Sequence, residues 1–253
     1  GIYEDQTNRE KILEVSRFQT TASDGLRSLS DIVADMKEGQ DAIYYITGDN
    51  LETVRQSPQL EGFRSRGVEV LLMTDPVDEF WLPAVGSFED KPFKSVTRGG
   101  ADLDNIKEED ADKDTKDKKK KDKKQAPGID ELIASLKISL GDAVKDVAVS
   151  ERLTDSPVCL VSGEGDMDIQ LERMLKQHKQ LDQSTPRILE INADHALIVK
   201  LAGLAKEGKG SSDEIKEAAF LLLDQARLVE GETLSDVAEF ARRMSSMMER
   251  GLV

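Results

Sequence analysis

Two histidines, His178 and His195, and one cysteine, Cys159, are the chain's whole supply of imidazole and thiol groups, and they stand apart in sequence. A protein-held zinc ion takes several such ligands at short paired spacings, so no recognised zinc site can be assembled from them. Asp194-His195 could set a carboxylate beside an imidazole, as a general base requires, but the pair sits where a helix begins and reads as a cap and its neighbour. Cys159 lies in the apolar, strand-like run SPVCLV and reads as a small buried hydrophobe rather than a reactive thiol. The turn at residues 47–50 of ITGDN follows a strand and precedes a helix, so its N–H groups could face an anion; a single glycine beside an aspartate makes this a weak phosphate site. GKGSS around Lys209 lacks the strand that precedes a P-loop, and neither G-x-G-x-x-G, G-x-x-x-x-G-K-[ST] nor G-x-S-x-G occurs. Carboxylates are plentiful, but abundance on an acidic surface singles out no general acid or base. These residues describe a binding or assembly protein; the alternative is an α/β enzyme or scaffold that binds a phosphorylated ligand at the 47–50 turn.

The totals agree. With 253 residues, 38% hydrophobic and 34% charged, the chain is long enough for two cored domains. A net charge of −15 disfavours nucleic acid as a general partner, because a phosphate backbone rewards surplus Lys and Arg. No apolar run reaches the roughly 18 residues of a membrane helix, and GIYEDQTNRE has neither the basic nor the apolar region of a signal peptide. No membrane partner is expected. The lone cysteine excludes an internal disulfide and fits a reducing compartment. Gly1 in place of Met suggests a processed product or a piece of a longer chain.

The elements that must position any site follow from periodicity and caps. Helices are expected at residues 7–18 and in SLSDIVADMKEG, the second opened by Ser28 or Ser30 and closed by Gly39. The runs AIYYIT (42–47) and VEVLLMT (68–74), joined by a helical crossover, predict a βαβ unit with parallel strands. DPVDEFWLPAV reads as a short helix or turn and KPFKSV as an edge strand. Residues 101–127 begin acidic, end basic and carry too few apolar side chains to offset their ordering entropy, which predicts a flexible linker. Beyond Pro127 a helix ending at Gly141 precedes strands at 144–150, 157–162 and 185–192, and helices run to the end with Ser211 or Ser212 and Thr233 as N-caps.

Two apolar stripes lack an evident partner. In GDMDIQLERMLKQHK, Met167, Leu171, Met174, Leu175 and His178 fall on one narrow helical face; such a face ordinarily covers a core, but two of its members are the adaptable methionine. In the last two helices Ile215, Ala219, Leu222, Leu223, Ala226 and Val229 cluster, as do Val237, Phe240, Ala241, Met244, Met247 and Met248. A terminal pair so apolar packs either on its own domain or on a partner pair as a four-helix bundle.

Several longer stretches carry a resemblance. SRFQTT, MKEGQDAIYYITGDN, SPQLEGFRSRGVEVLLMTDPVDEF and KPFKSV resemble the middle domain of the heat shock protein 90 chaperones, whose bacterial form is HtpG. VKDVAVSERLTDSPVCLVS, LERMLKQ, LEINADHALI and LLLDQARLVEG are similar to their C-terminal domain. The resemblance implies an α/β (α+β) protein in three parts. Residues 1–100 would be the end of the middle domain, a small αβα subdomain; 101–127 the flexible charged linker; and 128–253 a mixed α/β dimerisation domain. It further implies a homodimer through a four-helix bundle, with Ala219, Leu222, Leu223, Ala226, Val237, Phe240, Met244 and Met247 at the interface. Phe80, Trp81, Met167, Leu171 and Met174 would touch unfolded or partly folded client proteins. No catalytic residue, metal or cofactor is assigned to this portion, since ATP and Mg belong to an N-terminal domain of the family. Ala193 and Ala196 replace two family prolines and loosen a helix start. The tail MMERGLV lacks the acidic peptide of eukaryotic cytosolic members, which favours a bacterial-type cytoplasmic protein.

Overall fold

The computed structural model describes residues 1–99, 103, 105–106, 126–181 and 185–251; most of the expected linker lies outside the described residues. The first elements are α1 (Arg9–Val15), α2 (Leu29–Ala34), β1 (Ile43–Thr47), α3 (Leu51–Arg55), α4 (Glu61–Ser65), β2 (Val70–Met73), α5 (Asp78–Val85), β3 (Ser87–Phe88) and β4 (Lys91–Ser95). They are followed by α6 (Ile129–Leu140), β5 (Asp146–Val149), β6 (Val158–Val161), α7 (Ile169–Gln177) and β7 (Ile188–Ile191). The chain ends in α8 (Ala196–Leu204), α9 (Asp213–Val229) and α10 (Val237–Gly251). The chain is a mixed α/β protein of two compact units: Gly1–Lys116 with Ser162–Ser184, and Asp117–Val161 with Thr185–Val253. The second unit therefore gives up part of the stretch 128–253: Ser162–Ser184, with α7, packs with the first.

In the first unit the sheet order is β2-β1-β4-β3, with β1 parallel to both β2 and β4. The predicted βαβ unit is thus present. Every residue of β1 and β2 is buried, as a parallel sheet covered on both faces requires. Alternation along these strands separates two cores. Tyr44, Ile46, Val70 and Leu72 meet Val54, Leu60 and Phe63 on one face, while Ile43, Tyr45, Leu71 and Met73 meet Leu13, Leu29, Trp81 and Leu82 on the other.

Three sequence expectations need correction here. KPFKSV is not an edge strand: β4 lies between β1 and the two-residue β3, which returns antiparallel through Glu89 and Asp90 at φ 47° and 61°. A hairpin turn built without glycine gave no sequence signal. Leu103 and Ile106, placed in the linker on composition, are buried in the Tyr44 core cluster. The helix expected to close at Gly39 ends at Ala34. Gly39 itself, at φ 88°, lies against the Ile106 segment, where a Cβ would come within 2.2 Å of the Asn105 carbonyl oxygen.

The second unit has sheet order β5-β7-β6, parallel between β5 and β7 and antiparallel between β7 and β6. α6 and α9 supply its core through Leu132, Leu136, Leu222 and Leu223 against Val147, Leu160, Leu189 and Ile191. Ser212 caps α9 by accepting from the Ile215 N–H at 3.4 Å. At α10 the cap is Asp236 rather than Thr233, its carboxylate accepting from the Glu239 N–H at 2.8 Å. His195 opens α8, its ring nitrogen Nδ1 accepting from the Leu197 N–H at 3.2 Å, which gives the Asp194-His195 pair a structural use. Among the described residues no helix is long and apolar enough to cross a membrane.

Candidate functional site

α7 is amphipathic, yet the face it buries is not the one its apolar stripe marks. Ile169 and Glu172 are buried, whereas Met167, Leu171, Met174 and Leu175 are only half-covered and His178 is exposed. Residues 169 and 172 lie three apart and so share one side of the helix. The methionine stripe is therefore left at the surface of the first unit, partly open to a visitor.

The helix is seated by its N-cap. Asp168, buried, accepts from the Gln170 N–H at 3.2 Å, from Ser95 Oγ at 2.6 Å and from Thr97 Oγ1 at 2.7 Å. Thr47 Oγ1 lies 3.5 Å away. Ser95 ends β4 and Thr47 ends β1, so the parallel sheet delivers these hydroxyls side by side at the carboxyl ends of its strands, where α/β folds commonly place sites. Charge-assisted hydrogen bonds of this kind satisfy a buried carboxylate.

A second carboxylate beside it is less well served. Glu79, in the first turn of α5, is 7% exposed and its Oε1 has no hydrogen-bond partner among the described residues. Burial first, and then the charge of Asp168, push its pKa up to about 7, against a hydrogen bond from Thr47 and the charge of Arg98. Burial and Asp168 likewise raise Tyr45, and burial raises Asp78 despite its hydrogen bond from Trp81.

Next to this cluster opens a cavity of about 220 Å³ whose lining includes Asp49, Met73, Asp75, Glu79, Met174 and His178. Asp49 is held by Gln170 Nε2 and by Arg173 Nη1, the latter at 3.3 Å. Three carboxylates on the wall oppose a phosphate, so the electrostatics run against an anion at the 47–50 turn. Among the described residues no three His, Cys, Asp or Glu side chains gather as metal ligands.

The two aromatic candidates part company. Phe80 is 46% exposed and available, but Trp81 is 3% exposed. Its Nε1 donates to Asp78 Oδ1 at 2.7 Å, and its ring lies 6.0 Å from Phe18 and 5.7 Å from Phe93. Trp81 is therefore a core residue and not a surface contact. Neighbours on a helix point about 100° apart, so one of two adjacent aromatics faces inward.

The eight expected interface residues also divide. Ala219, Leu222, Leu223 and Ala226 are buried within the second unit itself, filling its core from α9. They cannot also face a partner. On α10 nothing is buried: Val237 and Met244 are exposed, while Phe240 and Met247 are half-covered. Leu228, Val229 and Met248 are exposed as well, Met248 at 60%. α10 is tied to α9 by Arg243, which pairs with Glu217 at 2.9 Å and sits 4.5 Å over the Phe220 ring. Periodicity placed all eight on apolar faces; it had no means of telling a face covered by its own unit from one left open.

Comparison with known proteins covers the whole chain. The family model described as Hsp90 protein matches residues 1–253. Chaperone protein HtpG of Roseobacter denitrificans and that of Paramagnetospirillum magneticum are each 54% identical over 253 residues. The Rhodospirillum rubrum protein of the same name is 49% identical over 254 residues. Each alignment takes in 100% of this chain and 40% of the relative, so the chain spans about two fifths of the length of these curated relatives.

Proposed function

The chain belongs to the Hsp90 protein family, and from that membership we infer that it is the client-handling and dimerising portion of an ATP-dependent molecular chaperone. ATP and magnesium are used by the N-terminal domain of the family, and this portion contributes no nucleotide chemistry of its own. The observation that carries the reading is α10: fifteen residues, none of them buried, with Val237, Met244 and Met248 exposed along one helix. An apolar surface of that kind in a soluble protein marks an interaction site. A second copy of α10, related by a two-fold axis, covers it with the same residues and makes a four-helix bundle from two α9–α10 pairs. Client contact falls to the half-covered Met167, Leu171 and Met174 on α7 and to exposed Phe80 on α5. Two copies of each weak surface in one dimer raise effective concentration without new contacts.

The test is molar mass in solution across a dilution series, by light scattering or sedimentation, on this chain and on one ending at Gly231. Dimers that become monomers on loss of α10 support the reading. A monomer at every concentration removes it, because α10 would then need no partner. For the client surface, Leu171→Ser with Met174→Ser is expected to weaken capture of an unfolded protein at nearly unchanged melting temperature.

A further inference from the structure

The cavity beside α7 has a chemistry that apolar client capture leaves unused. We propose that it is a subsite for one basic side chain of an extended polypeptide, the cationic head received by Asp75 and Glu79 and the alkyl stem lying along Met73 and Met174. The proposal rests on the reading of α7 as a client contact and adds the class of residue recognised there.

The charges decide which visitor fits. Of the three wall carboxylates Asp49 already has a cation, Arg173, whereas Asp75 is engaged by the Val77 N–H at 3.1 Å and has no ion pair among the described residues. Glu79 is nine-tenths buried, with an oxygen that no donor among the described residues satisfies. A buried acid with an open acceptor is costly when ionised unless a cation joins it. A Lys or Arg head supplies both the charge and the donors. About 220 Å³ is small beside the roughly 300–1,000 Å³ of sites for whole small ligands, and suits one side chain. The two methionines offer the flexible apolar walls that long methylene stems pack against.

Ionisation of Glu79 gives the site a pH signature. The groups acting on it are Asp168 from the α7 cap, Asp78 on its own helix, the Thr47 hydroxyl on β1 and Arg98 after β4. Asp49, Asp75 and His178 complete the cavity wall. Because Glu79 titrates at about 7 when nothing is bound, a cation that requires its charged form binds more tightly as pH rises through that value. His178 lies on the same wall, so a His178→Gln control separates its contribution from that of Glu79.

The experiment measures binding of the full chain to two unstructured peptides, one with a single central lysine and a twin carrying norleucine. It is run at pH about 6 and about 8, on either side of the Glu79 titration. The lysine peptide is expected to bind about tenfold more tightly at the higher pH, with the preference shrinking at the lower. Glu79→Gln should abolish that preference without lowering the melting temperature, and Met174→Ser should weaken both peptides together. Equal binding of the two peptides, with Met174→Ser still weakening both, overturns the basic subsite and leaves the α7 client reading standing. A lysine preference that survives in Glu79→Gln also overturns it, assigning the effect to the diffuse acidic surface. If Met174→Ser alters neither peptide, the α7 contact falls and the subsite with it.

Discussion

Ser95 and Asp168 are 73 residues apart in the chain and joined by a hydrogen bond of 2.6 Å, the hydroxyl at the end of β4 donating to the carboxylate that caps α7. One side chain thus closes a helix and fastens it to a sheet. Asp168→Ala leaves the Ser95 and Thr97 hydroxyls and the Gln170 N–H without their acceptor. The expected cost is about 2–4 kcal/mol, combining a lost N-cap with unsatisfied buried donors. Urea unfolding gives the magnitude, and amide exchange should show α7 losing protection before β1. A loss under about 0.5 kcal/mol would mean that the cluster merely replaces hydration and holds nothing.

Glu79 predicts an unusual dependence of stability on pH. Its pKa in the folded chain is raised to about 7 from an ordinary 4.5, so the folded state holds a proton that the unfolded state releases. That contribution is fully present below about 4.5 and is lost as pH climbs to about 7. Glu79→Gln cannot ionise and escapes the loss. Between acid and mildly alkaline pH the variant should gain about 1–3 kcal/mol relative to the parent. Parallel stability curves for the two proteins would place Glu79 in contact with water.

Arg152 and Glu190 form a buried two-pronged ion pair in the second unit, Nε to Oε2 at 3.0 Å and Nη2 to Oε1 at 3.3 Å. Ser150 Oγ also donates to Oε2 at 2.7 Å. Arg152→Leu strands a buried carboxylate on the central strand β7 and should cost about 3–5 kcal/mol. The double variant Arg152→Leu with Glu190→Leu should cost clearly less than the two single losses added together. Strict additivity in that cycle would show the charges to be independent.

α9 and α10 should answer mutation in opposite ways. Leu222 is buried in the core, and Leu222→Ala should cost about 2–5 kcal/mol at any protein concentration. Met248 is exposed, and Met248→Ser should leave the isolated chain within about 0.5 kcal/mol of the parent while weakening self-association. Thermal melts at several concentrations separate the effects. A concentration-independent loss for Met248→Ser would place that residue in a core.

Much of the local chemistry was legible. The caps Ser28 and Ser212, the strand runs at 43–47 and 70–73 and the termination of α6 at Gly141 all follow from residues a few positions apart. The candidate site was legible only as a stripe. Nothing near Asp168 in sequence announces that its partners are Ser95, Thr97 and Thr47, and the carboxylates of the cavity, Asp49 and Asp75 from loops and Glu79 from the first turn of α5, lie far ahead of α7 in the chain. Trp81 shows the same limit: beside Phe80 it looked like a second surface aromatic, and only the packing of α5 turned it inward.

The amino-acid sequence by itself determined most of the segments that become helices and strands, the parallel pairing of β1 with β2 and membership of the Hsp90 family. These depend on periodicity, caps and long motifs, all written along the chain. The tertiary structure alone decided that α7 buries Ile169 and Glu172 rather than its methionine stripe, that Leu103 and Ile106 belong to a core and that α9 is consumed within its own unit while α10 stays open. An amphipathic pattern states that a face must be covered; what covers it is settled by which distant surfaces meet and how much water each excludes.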